Sequence, residues 1–466
     1  MIIFVKISKF GLSSKFFKQL AGLMTTTHIS EERYNAEIAE LFRRFPSVQN
    51  VPFANAYKPG LERMREFALE LGNPQNDYRI IHVAGTNGKG SVSSMLASSL
   101  AALGMETGLF TSPHIRDFRE RMKMVGSGGC RMPDKAWVYD FIVTYRKVFE
   151  GLSLSFFEIT TGMAMKWFSE CGASAVVLEV GLGGRLDSTN IVTPDLSVIT
   201  SIGLDHCDLL GDTFEKIAGE KAGIIKRGVP VVIGEALPQT RPVFEHAASE
   251  NCAPVHFAED SQPWLWDSRG RILEAMDLQG SCQEKNLRTV LTALPLFVGN
   301  PDADKTADAL VHTAQRTDFH GRWEMLCRKP LTICDIGHNA HALRGNFAQL
   351  EAMHRPMVIV YAVMADKDLD AILPLMPRAA RYIFTTPSTA RALPASRVME
   401  RYLSAGGDRS ACEVCDSVPL AVDRAFSLAA AQESGDAVIY IGGSTFAVSE
   451  AVPLFRGGRY EGAAGR

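Results

Sequence analysis

Several residues of this 466-residue chain have the type and spacing to act on a polyphosphate. Gly85-Thr86-Asn87-Gly88-Lys89-Gly90-Ser91 separates an apolar, strand-like run (Arg79 to Ala84) from a helix-forming run that ends at Gly104. Strand, glycine-rich loop and helix in that order make a phosphate cradle. The glycines let backbone N–H groups close around phosphate oxygens, the helix N-terminus adds its positive end, and Lys89 supplies a mobile cation. The Ser91 hydroxyl, just past the lysine, is placed to ligate Mg²⁺. The loop departs from the usual G-x-x-x-x-G-K-[ST] pattern, because Val83 replaces the first glycine and Gly90 separates Lys89 from Ser91. The plainer alternative is a strand-to-helix turn with no ligand. The loop implies a nucleoside triphosphate without saying which reaction.

Glu179 ends the otherwise apolar run Ala175-Val-Val-Leu-Glu179. A buried unpaired carboxylate costs several kcal/mol, so it needs a cation or strong donors. A Mg²⁺ near the phosphate loop answers this; an ion pair with Arg185 is the alternative. His206, in Asp205-His-Cys-Asp208, follows the next strand beside a carboxylate and reads as a metal ligand more readily than as a loop histidine. Arg322, in Asp318-Phe-His-Gly-Arg322, sits on a glycine-containing turn from which it can reach phosphate; a salt bridge to Glu324 is the alternative. Asp335-Ile-Gly-His338 offers an acid and an imidazole after another strand, and Asp366-Lys-Asp368 is a similar, less specific edge. Lys221, following a glutamate on a helix, reads as a surface charge on composition alone.

The elements that must hold these residues alternate between strand and helix. Ser30 caps a helix carrying Tyr34, Ile38, Leu41, Phe42 and Phe45 on one face, and Pro46 stops it. A helix from Gly60 to Leu71 precedes the phosphate strand. Strands follow at Thr107, at Ala175–Val180, at Leu196–Ile202 and at Val229–Ile233, with helices near 134–149, 156–171 and 217–225 between them. This is a doubly wound, mostly parallel sheet, whose ligands bind at the C-terminal strand edges. Residues 259–270 read as a surface loop or hairpin, and 283–296 as a helix. Strands at 331–334, 357–362, 382–385 and 437–441 form a second, smaller, Rossmann-like α/β unit without a phosphate loop. The expected limits are 24–313 for a nucleotide-binding domain and 319–460 for a C-terminal one.

Length favours two domains over one core. A net charge of -3 gives no case for nucleic acid or an anionic membrane as partner. No apolar run reaches transmembrane length. Nine cysteines without framework spacing fit a reducing compartment, so the cytoplasm is expected. The lone Cys412-Glu-Val-Cys415 reads as coincidence rather than as a zinc or redox site. Residues 1–23 stand apart, with Lys6, Lys9, Lys15 and Lys18 and no acid before Glu31. They read as an extension upstream of Met24 in preference to a targeting segment.

Taken together, these stretches resemble the folylpolyglutamate synthase / dihydrofolate synthase family of the Mur ligase superfamily. The resemblance rests on Gly85–Ser91, Thr111-Ser-Pro-His114, Phe118-Arg-Glu-Arg121, Phe157-Glu158, Leu178–Asp187, Leu204-Asp-His206, Glu220–Ile224, Gln283 with Asn286, Gly321-Arg322, Asp335–Asn339 and Asp366-Lys-Asp368, all in family order. It implies an ATP-dependent ligase that joins L-glutamate to dihydropteroate, to (tetrahydro)folate polyglutamates, or to both, through an acyl phosphate. Chemistry of this kind relies on positioning and on neutralising oxygens.

Carried over by position, the resemblance gives Ser112, Glu179 and His206 as Mg²⁺ ligands with Ser91 near the phosphates, and Lys221 as a lysine that is carbamylated and helps hold a second Mg²⁺. It gives Asn286, Arg322, Asp335 and His338 as nucleotide contacts. Ser155, Phe156, Phe157, Glu158, Leu186, Asp187 and Ser188 become the pterin-side stretch. A monomer is expected, and both domains must close on the nucleotide. Cys207, Cys282 and Ile336 stand where the family usually has Thr, His and a small residue. A cell-wall Mur-type ligase is the alternative within the class. The roughly 50 residues between Met24 and the phosphate strand are too few for the extra domain such enzymes use. A nucleotide-gated module without catalysis is the alternative outside it, and the presence of Lys89, Glu179, His206 and Lys221 argues against that.

Overall fold

The computed structural model describes residues 29–45, 60–260, 262–432, 436–456 and 460. The extension 1–23 and the helix stop at Pro46 lie outside the described residues.

The first sheet contains β1 (Arg79–Ala84), β2 (Thr107–Phe110), β3 (Met122–Gly126), β4 (Gly129–Arg131), β5 (Ala175–Glu179), β6 (Leu196–Ile199), β7 (Val231–Ile233) and β8 (Val255–Phe257). Its order is β4-β3-β2-β5-β1-β6-β7-β8. All pairings are parallel except those of β3 with β2 and with β4. β5, β6 and β7 are buried throughout because helices cover both faces, which is why they read as unbroken apolar runs.

This order assembles the site. β1 lies between β5 and β6, and β2 lies on the far side of β5. The loop after β1, Glu179 at the end of β5, Ser112 after β2 and His206 after β6 therefore emerge side by side at one sheet edge. The chain reverses winding direction around β1, the place where doubly wound sheets leave a crevice.

The run after the phosphate loop forms the expected helix, Lys89–Ala102. Every residue from Gly90 to Ala101 is buried, so it has no solvent face. One side packs on the sheet and the other on helices Gln283–Val298 and Ala303–Val311. Its small residues allow that close approach, and the Ser98 hydroxyl donates across to the Ala309 carbonyl at 2.8 Å.

The second sheet contains β9 (Glu324–Arg328), β10 (Leu331–Asp335), β11 (Met357–Tyr361), β12 (Arg381–Thr385), β13 (Cys412–Cys415) and β14 (Val438–Gly442), in the order β13-β12-β11-β14-β10-β9. It is parallel except for β9. Two separate apolar clusters flank it, built around Val360 and around Tyr361 on its opposite faces.

The elements that the sequence reading passes over are short or at an edge. The turn Gly126-Ser-Gly-Gly129 joins the β3–β4 hairpin. The stretch read as a surface loop carries a helical turn at Trp266 and the helix Arg269–Ala275. Cys412 and Cys415 lie three residues apart on edge strand β13, where side chains three apart point to opposite faces, so they form no pair.

Candidate active site

The facing edges of the two sheets enclose a cleft of about 680 Å³. The candidate residues Gly85–Ser91, Ser112, Ser155–Glu158, Glu179, Leu186–Ser188, His206, Lys221, Asn286, Arg322, Asp335 and His338 all line it, whereas of Asp366-Lys-Asp368 only Lys367 does.

The phosphate loop is pinned from beneath by β6's C-terminal end. The Thr200 and Ser201 hydroxyls donate to the Asn87 carbonyl at 2.6 and 3.1 Å, and the Thr86 N–H donates to Ser201 O at 2.8 Å. Gly85 is obligatory in this packing: at φ 151 a Cβ would stand 1.9 Å from Thr200 Oγ1. Gly90 has a different reason. A Cβ there would lie 3.0 Å from the Phe319 ring and 3.6 Å from Arg322 Nη2. The extra glycine between Lys89 and Ser91 thus leaves room for the arm that carries Arg322.

That arm is the turn Asp318–Trp323, with positive φ at Asp318, Gly321 and Trp323. Asp335 organises it, accepting the Trp323 N–H at 2.8 Å on one oxygen and the Gly337 N–H at 2.7 Å on the other. Glu324 holds the Gly321 N–H at 2.7 Å and His320 at 2.8 Å. Arg322 stacks over Phe319 at 5.1 Å and faces the cleft, where burial lowers its pKa. Ile336, in place of a small residue, packs under the same turn, with its N–H on Gly321 O at 3.0 Å.

Glu179 is 2 % exposed, and burial raises its pKa despite Lys89 and the Ser112 N–H, which donates to Oε2 at 2.8 Å. Arg185, the partner considered from sequence, pairs instead with Glu220 at 3.3 Å. His206 occupies the left-handed region, at φ 53 and ψ 40, a conformation that non-glycine residues hold mainly where surrounding structure imposes it. Burial lowers its pKa to about 3, so the ring is neutral and able to bind a metal. Among the described residues no three His, Cys, Asp or Glu side chains are gathered into a ready-made metal cage. A carboxylate, an imidazole and the hydroxyls of Ser91 and Ser112 instead fit an ion that keeps waters and takes phosphate oxygens, as Mg²⁺ does.

Lys221 corrects the reading from composition. It is 3 % exposed, and its Nζ donates to Gly85 O at 3.0 Å. Lys89 Nζ donates to the same oxygen at 2.9 Å. Burial, and then the charge of Lys89, lower the Lys221 pKa to about 7.

Three residues that the sequence reading quotes only within motifs, Asp205, Asn339 and Lys367, join the sheets. Asp205 accepts from Lys367 at 2.8 Å and from Asn339 at 3.0 Å, with His338 at 3.5 Å. Burial would raise its carboxyl, but His338, His206 and Lys367 hold it well below the usual range. Asn87 and Asn339 exchange side-chain hydrogen bonds at 3.2 Å. The sequence signal for Lys367 was its place after β11. On the other side of the cleft, Ser155 and Glu158 form a reciprocal helix cap with each other, at 3.2 and 2.7 Å, which leaves Phe156, Phe157 and Leu186 as the apolar wall.

Residues 83–289 match the Mur ligase middle domain, and residues 321–444 the Mur ligase glutamate ligase domain. The folylpolyglutamate synthase of Lacticaseibacillus casei is 33% identical over 348 residues, 70% of this chain and 80% of that one. The chain belongs to the folylpolyglutamate synthase / dihydrofolate synthase family. Escherichia coli FolC in complex with DHPP and ADP superposes with a TM-score of 0.76 at 25% identity, covering 92% of this chain and 98% of that one. The bifunctional folylpolyglutamate synthase/dihydrofolate synthase of Yersinia pestis, complexed with AMPPNP and Mn ion, gives 0.72 at 27% identity, covering 91% and 98%. A family of ATP-dependent glutamate ligases accounts for a cleft lined by three cations, the buried Lys221 and the half-buried Lys89 and Arg322.

Proposed function

We infer that this chain is an ATP-dependent carboxylate–amine ligase that adds L-glutamate to dihydropteroate and to tetrahydrofolate polyglutamates. The observation that carries the reading is the meeting, in one cleft, of a lysine-bearing phosphate loop, a buried carboxylate with a neutral histidine, and an arginine delivered by the second sheet. The domain limits are taken as 24–313 and 319–460.

In this reading, the loop N–H groups and Lys89 hold the β- and γ-phosphates of ATP. Phe156, Phe157 and Leu186 flank the flat ring of the acceptor, with Asp187 and Ser188 at its polar edge. The acceptor carboxylate attacks the γ-phosphorus and ADP leaves, giving an acyl phosphate. The amine of glutamate then attacks the acyl carbon, loses a proton, and expels phosphate. Arg322 neutralises charge on the transferring group, which places it only when the two sheet edges are together. Asn286, Asp335 and His338 complete the nucleotide's surroundings.

Glu179 and His206, with Ser91 and Ser112, would hold Mg²⁺. The ion neutralises phosphate oxygens when bound. For a second ion, Lys221 would supply a carbamate: the neutral amine adds CO₂ and releases a proton, so a buried cation becomes an anion. The lowered pKa supports this, because only the uncharged amine reacts.

The protein acts as a monomer in the cytoplasm without nucleic acid or membrane partners. The near-neutral charge supports the lack of a nucleic-acid partner, and no described helix is long and apolar enough to cross a membrane.

The test is an assay with ATP, Mg²⁺ and glutamate, supplying dihydropteroate in one reaction and tetrahydrofolate in another. A glutamyl adduct by mass in both establishes the bifunctional reading. An adduct in one alone restricts it, and none in either removes it. Lys89→Ala should abolish turnover with the fold retained, and unchanged activity there would remove the phosphate-loop assignment.

A further inference from the structure

A buried hydrogen-bond chain runs from the centre of the first sheet to the acceptor end of the cleft. His82, on β1, is fully buried, and its Nε2 lies 2.8 Å from Thr189 Oγ1. Thr189 Oγ1 donates to Asp187 Oδ1 at 2.5 Å, and the Thr189 N–H donates to the same oxygen at 3.0 Å. Asp187 Oδ2 accepts the Leu182 N–H at 2.9 Å. Asp187 itself lines the cleft, beside Leu186.

The direction of the chain follows from counting protons. Burial raises the Asp187 carboxyl, but the Thr189 hydroxyl and the Thr189 and Leu182 N–H groups of its own loop oppose this, and three donors suit the ionised carboxylate. The single hydroxyl proton of Thr189 is then committed to Asp187, and a lone pair of Thr189 faces His82. His82 must therefore carry its proton on Nε2 and donate it to Thr189. Its Nδ1 is left as a bare, buried acceptor without a partner. The reverse chain would need a protonated Asp187 and would leave a buried Nδ1–H donor unpaired, the rarer and costlier arrangement. Burial, and then Lys226, keep the imidazole neutral, with a pKa lowered to about 3.

We propose that His82 is a positioning residue which, through Thr189, fixes Asp187 as an ionised acceptor at the cleft wall and so sets recognition of a flat heterocycle bearing adjacent N–H donors. This rests on the acceptor class inferred above. His82 touches no reacting atom. It decides which way the hydroxyl of Thr189 points, and thereby what Asp187 offers to a ligand.

The experiment is steady-state kinetics of the full chain carrying His82→Leu or Thr189→Val, with His82→Gln and Thr189→Ser as variants that can still donate. The Michaelis constant for the pterin acceptor should rise by roughly tenfold, the effect of losing one hydrogen bond to a charged group. Values of kcat and of KM for ATP should stay within about twofold, and the two conservative variants should recover most of the loss. Thr189→Val keeps the shape of the side chain and carries the test if His82→Leu does not fold. An unchanged acceptor KM in folded variants of an active wild type overturns the relay alone. So does a uniform fall in all parameters that tracks Tm and is not recovered by the conservative variants. A wild type that glutamylates neither pterin acceptor overturns the acceptor class beneath it.

Discussion

Lys89 and Lys221, far apart in sequence, donate to one oxygen, the carbonyl of Gly85, at 2.9 and 3.0 Å. The half-buried Lys89 and the buried Lys221 repel across this shared acceptor, and the charge of Lys89 helps to lower the Lys221 pKa. A bound polyphosphate relieves Lys89, and loss of a proton relieves Lys221.

A stability prediction follows for Lys221. Its folded pKa is lowered to about 7 from the ordinary lysine value of 10.5. Between those values the unfolded chain binds more protons than the folded one, so this group's contribution to stability rises with pH across that window. Below pH 7 the cost of burying the cation is felt in full. Lys221→Met in bicarbonate-free buffer should therefore unfold at higher temperature than wild type at pH 6, with the gap narrowing toward pH 10. A gap that is constant with pH would show that Lys221 does not titrate in this window.

Gly90 provides the clearance for Phe319 and Arg322. Gly90→Ala should displace the arginine-bearing turn while leaving the Lys89 side of the loop in place. Turnover should fall by roughly tenfold, as expected when a catalytic group is misplaced by a fraction of an ångström, with nucleotide affinity little changed. Calorimetric titration with ADP beside a turnover assay separates the two. Wild-type kcat would mean that the turn yields without consequence.

Asp205 ties the first sheet to Lys367 and Asn339 of the second. Asp205→Asn keeps the shape but leaves the half-neutralised Lys367 near Asp366 alone, at 3.8 Å. The domains should separate more readily. The radius of gyration from small-angle scattering should increase in the absence of nucleotide, and turnover should drop at least about tenfold, because breaking one side of a buried pair costs roughly 3–5 kcal/mol. An unchanged scattering profile would assign closure to other contacts.

The residues at strand ends were legible in the sequence because the alternation of strand and helix fixes which edge they share. Glu179, His206 and the loop 85–91 needed only the neighbouring positions of β5, β1 and β6 to meet. Lys221 was not legible from composition. What buries it is the Gly85 loop, a partner set by tertiary packing, and a lysine after a glutamate on a helix carries no local sign of that. The helix Lys89–Ala102 was visible as a helix, but its complete burial depended on helices about 200 residues later in the chain covering its outer face. The edge strands β4, β8, β9 and β13, and β3 beside β4, were missed because they are short and most are partly polar or exposed. Asp205 stood beside the better-marked His206, and its partners come from the other sheet.

The most direct measurement is the fate of the acceptor's carboxylate oxygen. Dihydropteroate or tetrahydrofolate labelled with ¹⁸O in the reacting carboxylate is incubated with the protein, ATP, Mg²⁺ and L-glutamate, and the released phosphate is weighed by mass spectrometry. Activation as an acyl phosphate transfers one labelled oxygen to phosphate, with ADP as the other product. Unlabelled phosphate alongside the glutamyl product, or release of AMP and pyrophosphate, would contradict the mechanism.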